Sequence, residues 1–393
     1  MKNSYLLWLA FITFSCTQKG DEEIYQGKLE QLIVGDFAIE KDSVTKYIFN
    51  IQVVKDYSHE YISFTTANAH KEYVFVLISK TTGKEIGRIQ IPSEGPESMR
   101  GGIHTNIVVS ENQAFQVNHL GEIGEYNGEG KQIALYEFLS DFKSKANSKG
   151  GELPSNFATT HFIKPIIQLG NNPSEFLNSN NSVAAGEIVS EFPPHFKQWL
   201  THVNLETGEV ETSDFSMPDG YELLKNDMTA TGLFGTYDSK RELYYLAWPY
   251  SDEVYVLDGL ILTQVIKPLS SLEYTYLPSE RKAWGVYTVL EQPKNASKQL
   301  FLLYDDKRDL IIRCSKIKES GKGETNFERT KHYVLSIYSG EWESKGEYFF
   351  DFETELEVEN WFLTSEGLFI NKPKQASEDE YEFYKINLSQ FAD

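Results

Sequence analysis

The sequence predicts an all-β protein, and specifically a β-propeller closed into a ring. Aromatic residues make up 14% of the 393 residues, and the apolar segments are short and rich in β-branched or aromatic residues. Pairs of such segments recur around tight turns that contain glycine. A single compact core usually stops growing at ~250–300 residues, and no Pro- or Gly-rich linker divides this chain. Repetition of one structural unit therefore explains its length best.

The N-terminal segment has the pattern of a bacterial lipoprotein signal. Lys2 precedes an apolar run from Tyr5 to Phe14, and the small residue Ser15 stands directly before Cys16. This run is about half of the ~20 residues that a transmembrane helix needs, so the pattern favours export over a membrane span. We therefore expect Cys16 to carry lipid and to anchor the protein to a membrane.

The expected domain organisation follows from this signal. Residues 1–15 are the predicted signal peptide, residues 16–30 a lipid-anchored polar linker, and residues 31–393 a single propeller domain. The tail from Thr17 to Glu23 turns acidic, which is typical both of export signals for the outer face of the outer membrane and of plain linkers. We expect an outer membrane lipoprotein, and both the periplasmic and the surface-exposed side stay open.

The repeating unit is a strand, a tight turn and a second strand. It is best seen where Glu72–Ile78 and Ile86–Ile91 flank the turn at Thr82–Lys84. Glycine in such turns supplies the positive φ that a hairpin needs. Similar turns recur at Asn127–Gly130, Glu206–Gly208, Asp258–Gly259 and Ser339–Gly340. Their irregular spacing is compatible with propeller blades of ~40–50 residues that carry insertions.

The two ends of the domain predict how the ring closes. Leu32–Ile39 is an isolated N-terminal strand, and Tyr381–Leu388 is a final strand that would otherwise remain at an edge. We expect them to pair in one blade. Counting them together gives six blades, which we favour, whereas a separate blade for the first strand gives seven. A β-sandwich or jelly roll is the alternative fold, but its scale of ~100 residues would require several domains.

Several short motifs carry a resemblance to a known family. They are the signal with Cys16, the early strand ending near Ile39–Asp42, Ser93–Glu97, Pro193–Phe196 and Thr364–Ile370. The chain resembles an uncharacterised family of Bacteroidetes-type lipoproteins of unknown function with a predicted six-bladed (TolB-like) β-propeller fold. The resemblance implies the fold and the anchor, and it implies no activity.

Composition excludes some partners. The chain has 37 Lys and Arg against 58 Asp and Glu, a net charge of −21, which disfavours binding to the phosphate backbone of a nucleic acid. With Cys16 lipidated, Cys314 has no partner for an intramolecular disulfide, and we expect it to be a buried thiol.

The search for catalytic motifs is negative. The sequence has no nucleophile elbow, phosphate loop, His-Glu-x-x-His motif or cysteine pairs at zinc spacing. We therefore predict no catalytic residues, no cofactor and no metal. Asp305–Asp309 has a trace of calcium-loop composition, and a solvated turn is the favoured interpretation. The alternating glutamates at 353–359 are interpreted as a solvated strand face rather than an acid–base pair.

Two loops contain candidate ligand-binding residues. Glu94, Arg100 and His104 lie between the first two predicted blades, where propeller loops line the mouth of the channel. His195 and Trp199 could present an aromatic platform for a sugar ring or a peptide. The alternatives are a simple crossing between blades for the first loop and packing against a neighbouring blade for the second.

The functional prediction is a lipid-anchored binding or protein-interaction scaffold of the cell envelope. Its partner would be an envelope protein, a glycan or a peptide. The alternative is a glycan- or peptide-processing enzyme, because a propeller can assemble acidic residues and histidines from distant blades at its channel. A third interpretation is a structural accessory subunit of an outer-membrane complex, which would expose an apolar patch.

Overall fold

The strands of the protein are arranged as a β-propeller. The computed structural model describes residues 24–42, 45, 48–56, 59–67, 73–99, 103–118, 122–137, 166–168, 175–179, 197, 199–224, 227, 230, 233–284, 287–323, 328–352 and 360–392. Short 3-10 helices occur at Leu29–Leu32, Tyr221–Leu224 and Ser389–Phe391.

The first half of the chain supplies two edge strands, two blades and a further sheet. The edge strands are β1 (Gln26–Lys28) and β2 (Ile33–Glu40). Blade 1 contains β3 (Phe49–Asp56), β4 (His59–Ala67), β5 (Tyr73–Ser79) and β6 (Glu85–Ile91). Blade 2 contains β7 (Ile103–Ser110), β8 (Gln113–Asn118), β9 (Ile123–Asn127) and β10 (Gln132–Tyr136). The next sheet, which we call the 11–14 sheet, contains β11 (Ile166–Gln168), β12 (Glu175–Ser179), β13 (Leu200–Asn204) and β14 (Val210–Thr212).

The second half supplies three blades and a hairpin. Blade 3 contains β15 (Phe234–Asp238), β16 (Leu243–Ala247), β17 (Val254–Asp258) and β18 (Ile261–Ile266). The hairpin is β19 (Glu280–Trp284) with β20 (Tyr287–Glu291). Blade 4 contains β21 (Lys298–Asp305), β22 (Leu310–Ser320), β23 (Thr330–Ser339) and β24 (Ser344–Phe352). Blade 5 contains β25 (Phe362–Thr364), β26 (Gly367–Asn371) and β27 (Glu380–Ile386).

The blade count corrects the sequence-based expectation. The first strands of five sheets contact one another in the row β15, β21, β25, β3 and β7. The protein is a five-bladed propeller, so the expected six blades are wrong. The expectation counted the 11–14 sheet as a blade because it has the same strand–turn–strand pattern. That pattern reports a hairpin, and within the described residues the first strand of this sheet, β11, makes no comparable contact with the first strand of another sheet.

The predicted closure of the ring is confirmed. Strand β2 pairs antiparallel with β27, from Ile33 opposite Ile386 to Glu40 opposite Glu380. It forms the outer strand of blade 5, next to the last strand of the chain. Strand β1 pairs in parallel with β24 and becomes a fifth strand of blade 4. Strands β1 and β2 therefore add to two neighbouring blades, blade 4 and blade 5.

Apolar and aromatic side chains fill the spaces between successive sheets. Phe301 and Phe350 pack on Trp361 between blades 4 and 5. Phe362 and Phe369 stack at 4.7 Å where blade 5 meets blade 1. Cys314 is fully buried, as predicted, and burial raises the pKa of its thiol. Successive side chains of a strand point to opposite faces of its sheet, so a sheet can present one apolar face to each of its two neighbouring sheets.

A turn motif occurs in both blade 3 and blade 4. Tyr237–Leu243 and Tyr304–Leu310 share the pattern Tyr-Asp-x-Lys-Arg-acid-Leu, and each turn joins the first two strands of its blade. In each, the aspartate accepts hydrogen bonds from the backbone N–H groups two and three residues later. The arginine then reaches the next blade, where Arg241 donates to Asp309 at 2.8 Å and Arg308 to the Ser365 carbonyl at 2.9 Å. The interpretation of 305–309 as a turn is confirmed, but it is not a solvated one, because Asp305 and Arg308 are buried where the motif connects successive blades.

A glycine at one blade contact allows a direct test of the packing. Gly83 has φ +70°, and an added Cβ would lie 1.9 Å from the carbonyl oxygen of Ala38 in blade 5. Gly259 has φ +56° but open space around it. We expect Gly259→Ala to cost about 1–2 kcal/mol from the left-handed backbone alone. Gly83→Ala should cost at least about 1 kcal/mol more, because the contact between blades 1 and 5 must shift. Urea unfolding of both variants measures this difference, and equal losses would contradict it.

Candidate functional site

The residues proposed from the sequence do not form one site among the described side chains. Cys16, Arg100 and His195 lie outside the described residues, and His104 is described in β7 by its backbone only. Glu94 is exposed in the loop between blades 1 and 2. Trp199 is fully buried between the 11–14 sheet and blade 3, so its ring is part of the core rather than a surface platform. The glutamates of 353–359 also lie outside the described residues.

A cleft lies between the segment that leaves the 11–14 sheet and the outer strands of blade 3, and we call it the rim cleft. Its volume is about 720 Å³, within the range of ~300–1,000 Å³ typical of ligand sites. It is lined by apolar, acidic and hydroxyl side chains, and by a single basic residue. The lining residues are Lys197, Thr212, Asp214, Phe215, Ser216, Met217, Asp219, Glu253, Tyr255, Leu260, Ile261, Leu262 and Val265.

The floor of the rim cleft is aromatic and rests on the core. Phe215 and Tyr255 are buried and meet edge to face, with ring centroids 5.6 Å apart. Behind them, Trp248 lies 6.4 Å from Tyr255 and 4.8 Å from Trp199. Phe215 is held by its backbone N–H, which donates to the Lys197 carbonyl at 3.3 Å. Because rings in such a stack have little freedom, the floor is rigid.

One wall is the outer strand of blade 3. Val265 stands opposite Tyr255 in the β17–β18 register, and its side chain is 44% exposed. Ile261, near the other end of β18, is 71% exposed. β18 is the last strand of its sheet, so within the described part of the chain its outer edge pairs with no other strand. Ile261 and Val265 therefore both line the cleft, and the exposed polar residues Thr263 and Gln264 separate them.

The rim of the cleft is acidic. Asp214 forms an ion pair with Lys197 at 3.2 Å, and Asp252, which neighbours Glu253, pairs with Lys267 at 2.9 Å. Among the described residues, no ion pair is formed by Asp219 or Glu253. Burial raises the pKa of Glu253, and the charges of Asp252 and Asp219 raise it further, while Lys267 opposes them. The cleft thus holds a carboxylate whose charged form is unfavourable in the free protein.

This pKa shift predicts how a variant behaves. A carboxyl group with a raised folded pKa lowers stability when it is charged, and the loss disappears as pH falls below its ordinary value of 4.5. We therefore expect Glu253→Gln to raise the melting temperature at pH 7. The gain should shrink as pH falls through the raised pKa and be absent below 4.5. Thermal melts of both proteins across roughly pH 3–8 measure it. Asp258→Asn, at an exposed turn, is the control and should change little. A Glu253→Gln variant that is less stable at pH 7 would contradict the argument.

The chemistry of the rim cleft is that of a binding site. Its floor can accept an apolar or aromatic group, and its carboxylates can accept hydrogen bonds from a cation. In the part of the chain that the structure describes, no group of three or more His, Cys, Asp or Glu side chains is placed to hold a metal ion. Over those same residues, no helix is long and apolar enough to cross a membrane.

The acidic residues of the rim cleft have no distinctive pattern in the sequence. Asp214 and Asp219 follow a short strand, and Glu253 precedes another, so each has the pattern of an ordinary loop acid. One signal was present: β18 carries apolar residues at positions that an outer strand would expose. The apolar residues of β18 alone do not indicate which part of the chain lies opposite this strand.

The comparisons with known proteins support the fold. No family model matches the sequence, and no curated protein matches it. A solved structure of a DUF4221 family member from Bacteroides vulgatus is 15% identical and covers 90% of this chain and 97% of that chain, with a TM-score of 0.64. A structure described as YCF48 bound to D1 peptide is 10% identical over 90% of this chain and 97% of that chain, with a TM-score of 0.39. The WD40 domain of Toxoplasma gondii coronin is 10% identical over 91% and 89%, also at 0.39.

Only the first of these similarities carries an argument. It confirms the predicted β-propeller fold. The structural neighbour itself belongs to a family of unknown function. At this identity it establishes the fold and no activity. The other two TM-scores are too low to add to it.

Proposed function

We propose that the protein is a lipid-anchored binding module of the cell envelope and that the rim cleft is its ligand site. The observation that carries the proposal is a cleft of mixed polar and apolar lining with an acidic rim, built on a packed aromatic floor. Sites of this kind bind ligands through a buried apolar contact and a few placed polar groups. A propeller is consistent with a binding or scaffold role.

The anchor is supported by the lipoprotein pattern that ends at Cys16. The described chain starts beside β1, at the outer edge of blade 4. The outer membrane is the proposed location, and both of its sides stay open.

Site-specific crosslinking in living cells tests the binding role. A photo-crosslinking amino acid at Ile261, in the rim cleft, should capture a discrete partner. The same amino acid at Ile86, which is 51% exposed on the outer strand of blade 1, is the matched control. Equal capture at both positions, or none at Ile261, would contradict the cleft as the site.

Metabolic labelling with an alkyne fatty acid tests the anchor. The full-length protein should be labelled and recovered in the outer membrane fraction. The Cys16→Ser variant should be neither. A labelled Cys16→Ser variant, or an unlabelled parent protein, would contradict lipidation at this residue.

A further inference from the structure

The acidic side chains around the rim cleft differ in whether they form an ion pair. Asp214 and Asp252 each have a basic partner, whereas Asp219 and Glu253 have no ion pair among the described residues. Glu253 is partly buried beside the exposed Asp219, and its charged form is unfavourable in the free protein. A ligand that brings a positive charge between these two carboxylates offsets the disadvantage at Glu253, so charge complementarity selects a cation.

The apolar part of the cleft is longer than one chemical group. Val265, beside the floor, and Ile261, at the start of the same strand, both line the cleft, and the exposed polar residues Thr263 and Gln264 lie between them. Four residues of a β-strand span about 13 Å. An extended peptide of four or five residues matches this length, and it can place one side chain on the floor and another over Ile261.

We propose that the ligand is an extended segment of a partner protein in which a Lys or Arg flanks apolar side chains. The basic group lies between Asp219 and Glu253, and the apolar side chains contact Phe215, Tyr255 and the cleft-lining side chains of β18. This inference rests on the proposed function, because it names the ligand of the same cleft.

A set of labelled peptides tests the proposal on the full-length protein in detergent. The probe is fluorescein-labelled Gly-Lys-Leu-Val-Leu-Lys-Gly, and binding is measured by fluorescence anisotropy. In one comparison peptide both lysines are replaced by glutamate. In the other the three apolar residues are replaced by serine. We expect both replacements to weaken binding at least about tenfold, since each removes one of the two features recognised.

Variants of the protein locate the effect. The double variant Asp219→Asn, Glu253→Gln should bind the lysine peptide about tenfold more weakly while keeping its fold. The double variant Glu111→Gln, Glu129→Gln removes the same charge from exposed positions of blade 2 and is the control. If the control weakens binding as much, the attraction is that of the whole acidic protein, and the proposal is overturned. A melting curve of each variant excludes unfolding as the cause.

Other results separate this proposal from the proposed function. Equal binding of the glutamate peptide would overturn the charge preference. Full displacement of the lysine peptide by butylamine at equal concentration would identify a small organic cation as the ligand class and overturn the peptide. In both cases capture from Ile261 in cells can persist, and the cleft then stays the binding site. Loss of that capture would instead contradict the proposed function.

Discussion

Replacing Trp248 by alanine is expected to destabilise the protein by about 3–5 kcal/mol. The side chain is fully buried and joins the 11–14 sheet to blade 3. Its ring contacts Trp199 at 4.8 Å, Tyr221 at 5.3 Å and Tyr255 at 6.4 Å, all near edge to face. Truncation leaves a cavity that these rigid rings cannot fill, so both the transfer free energy and the packing are lost.

The same variant should also impair the rim cleft. Tyr255 forms the floor and rests against Trp248, so loss of the support frees the floor to move. Urea unfolding measures stability, and anisotropy with the lysine peptide measures binding. Ile86→Ala, at a side chain that is 51% exposed on blade 1 and outside the cleft, is the control and should leave binding unchanged and change stability by no more than about 0.5 kcal/mol. A Trp248→Ala loss below about 1 kcal/mol would show that the aromatic stack is not needed.

Replacing Arg308 by methionine should be comparably destabilising. Arg308 is 8% exposed and donates to Asp305, which is 2% exposed, at 2.5 Å. It also donates to the Ser365 carbonyl of blade 5. Without the guanidinium, the buried Asp305 carboxylate loses its countercharge, and removal of one partner of a buried pair costs about 3–5 kcal/mol.

A double variant separates the two causes. Asp305→Asn, Arg308→Met removes both charges and should recover at least about 1 kcal/mol of the loss, because no unpaired buried charge remains. Lys55→Met is the matched control, since it breaks the ion pair with the neighbouring Asp306, which is largely exposed. Its expected cost is about 0–1 kcal/mol. If Lys55→Met and Arg308→Met cost the same, burial does not govern these pairs.

The fold could be predicted because its signals are local. Turn glycines such as Gly83 and Gly259 mark hairpins, and β2 and β27 have the patterns of strands that need a partner. The number of blades could not be read the same way. The 11–14 sheet has the hairpin pattern of a blade. The number of blades depends instead on which sheets bring their first strands into contact with one another. Local sequence does not encode those contacts.

The candidate site was harder to predict for a related reason. Trp199 has the composition of a sugar platform, and only the neighbouring blade reveals that it is buried. Asp219 and Glu253 are far apart in the sequence and meet through packing of two sheets. The turn motif of Asp238–Arg241 and Asp305–Arg308 is visible in the sequence as a repeat, but the acidic composition of Asp305–Asp309 taken alone resembles a calcium loop and hides it.

The pairing of β2 with β27 has a consequence for biosynthesis. Strand β2 is synthesised before its partner β27, Glu380–Ile386, which follows it by more than 300 residues of chain. At ~5–20 residues per second, the early strand waits roughly 20–70 s. During that time its hydrogen-bonding edge has no native partner, and such edges pair with other chains. A nascent chain that stalls before its final strand is therefore the aggregation-prone species, and chaperones would be needed for that interval rather than for the finished protein.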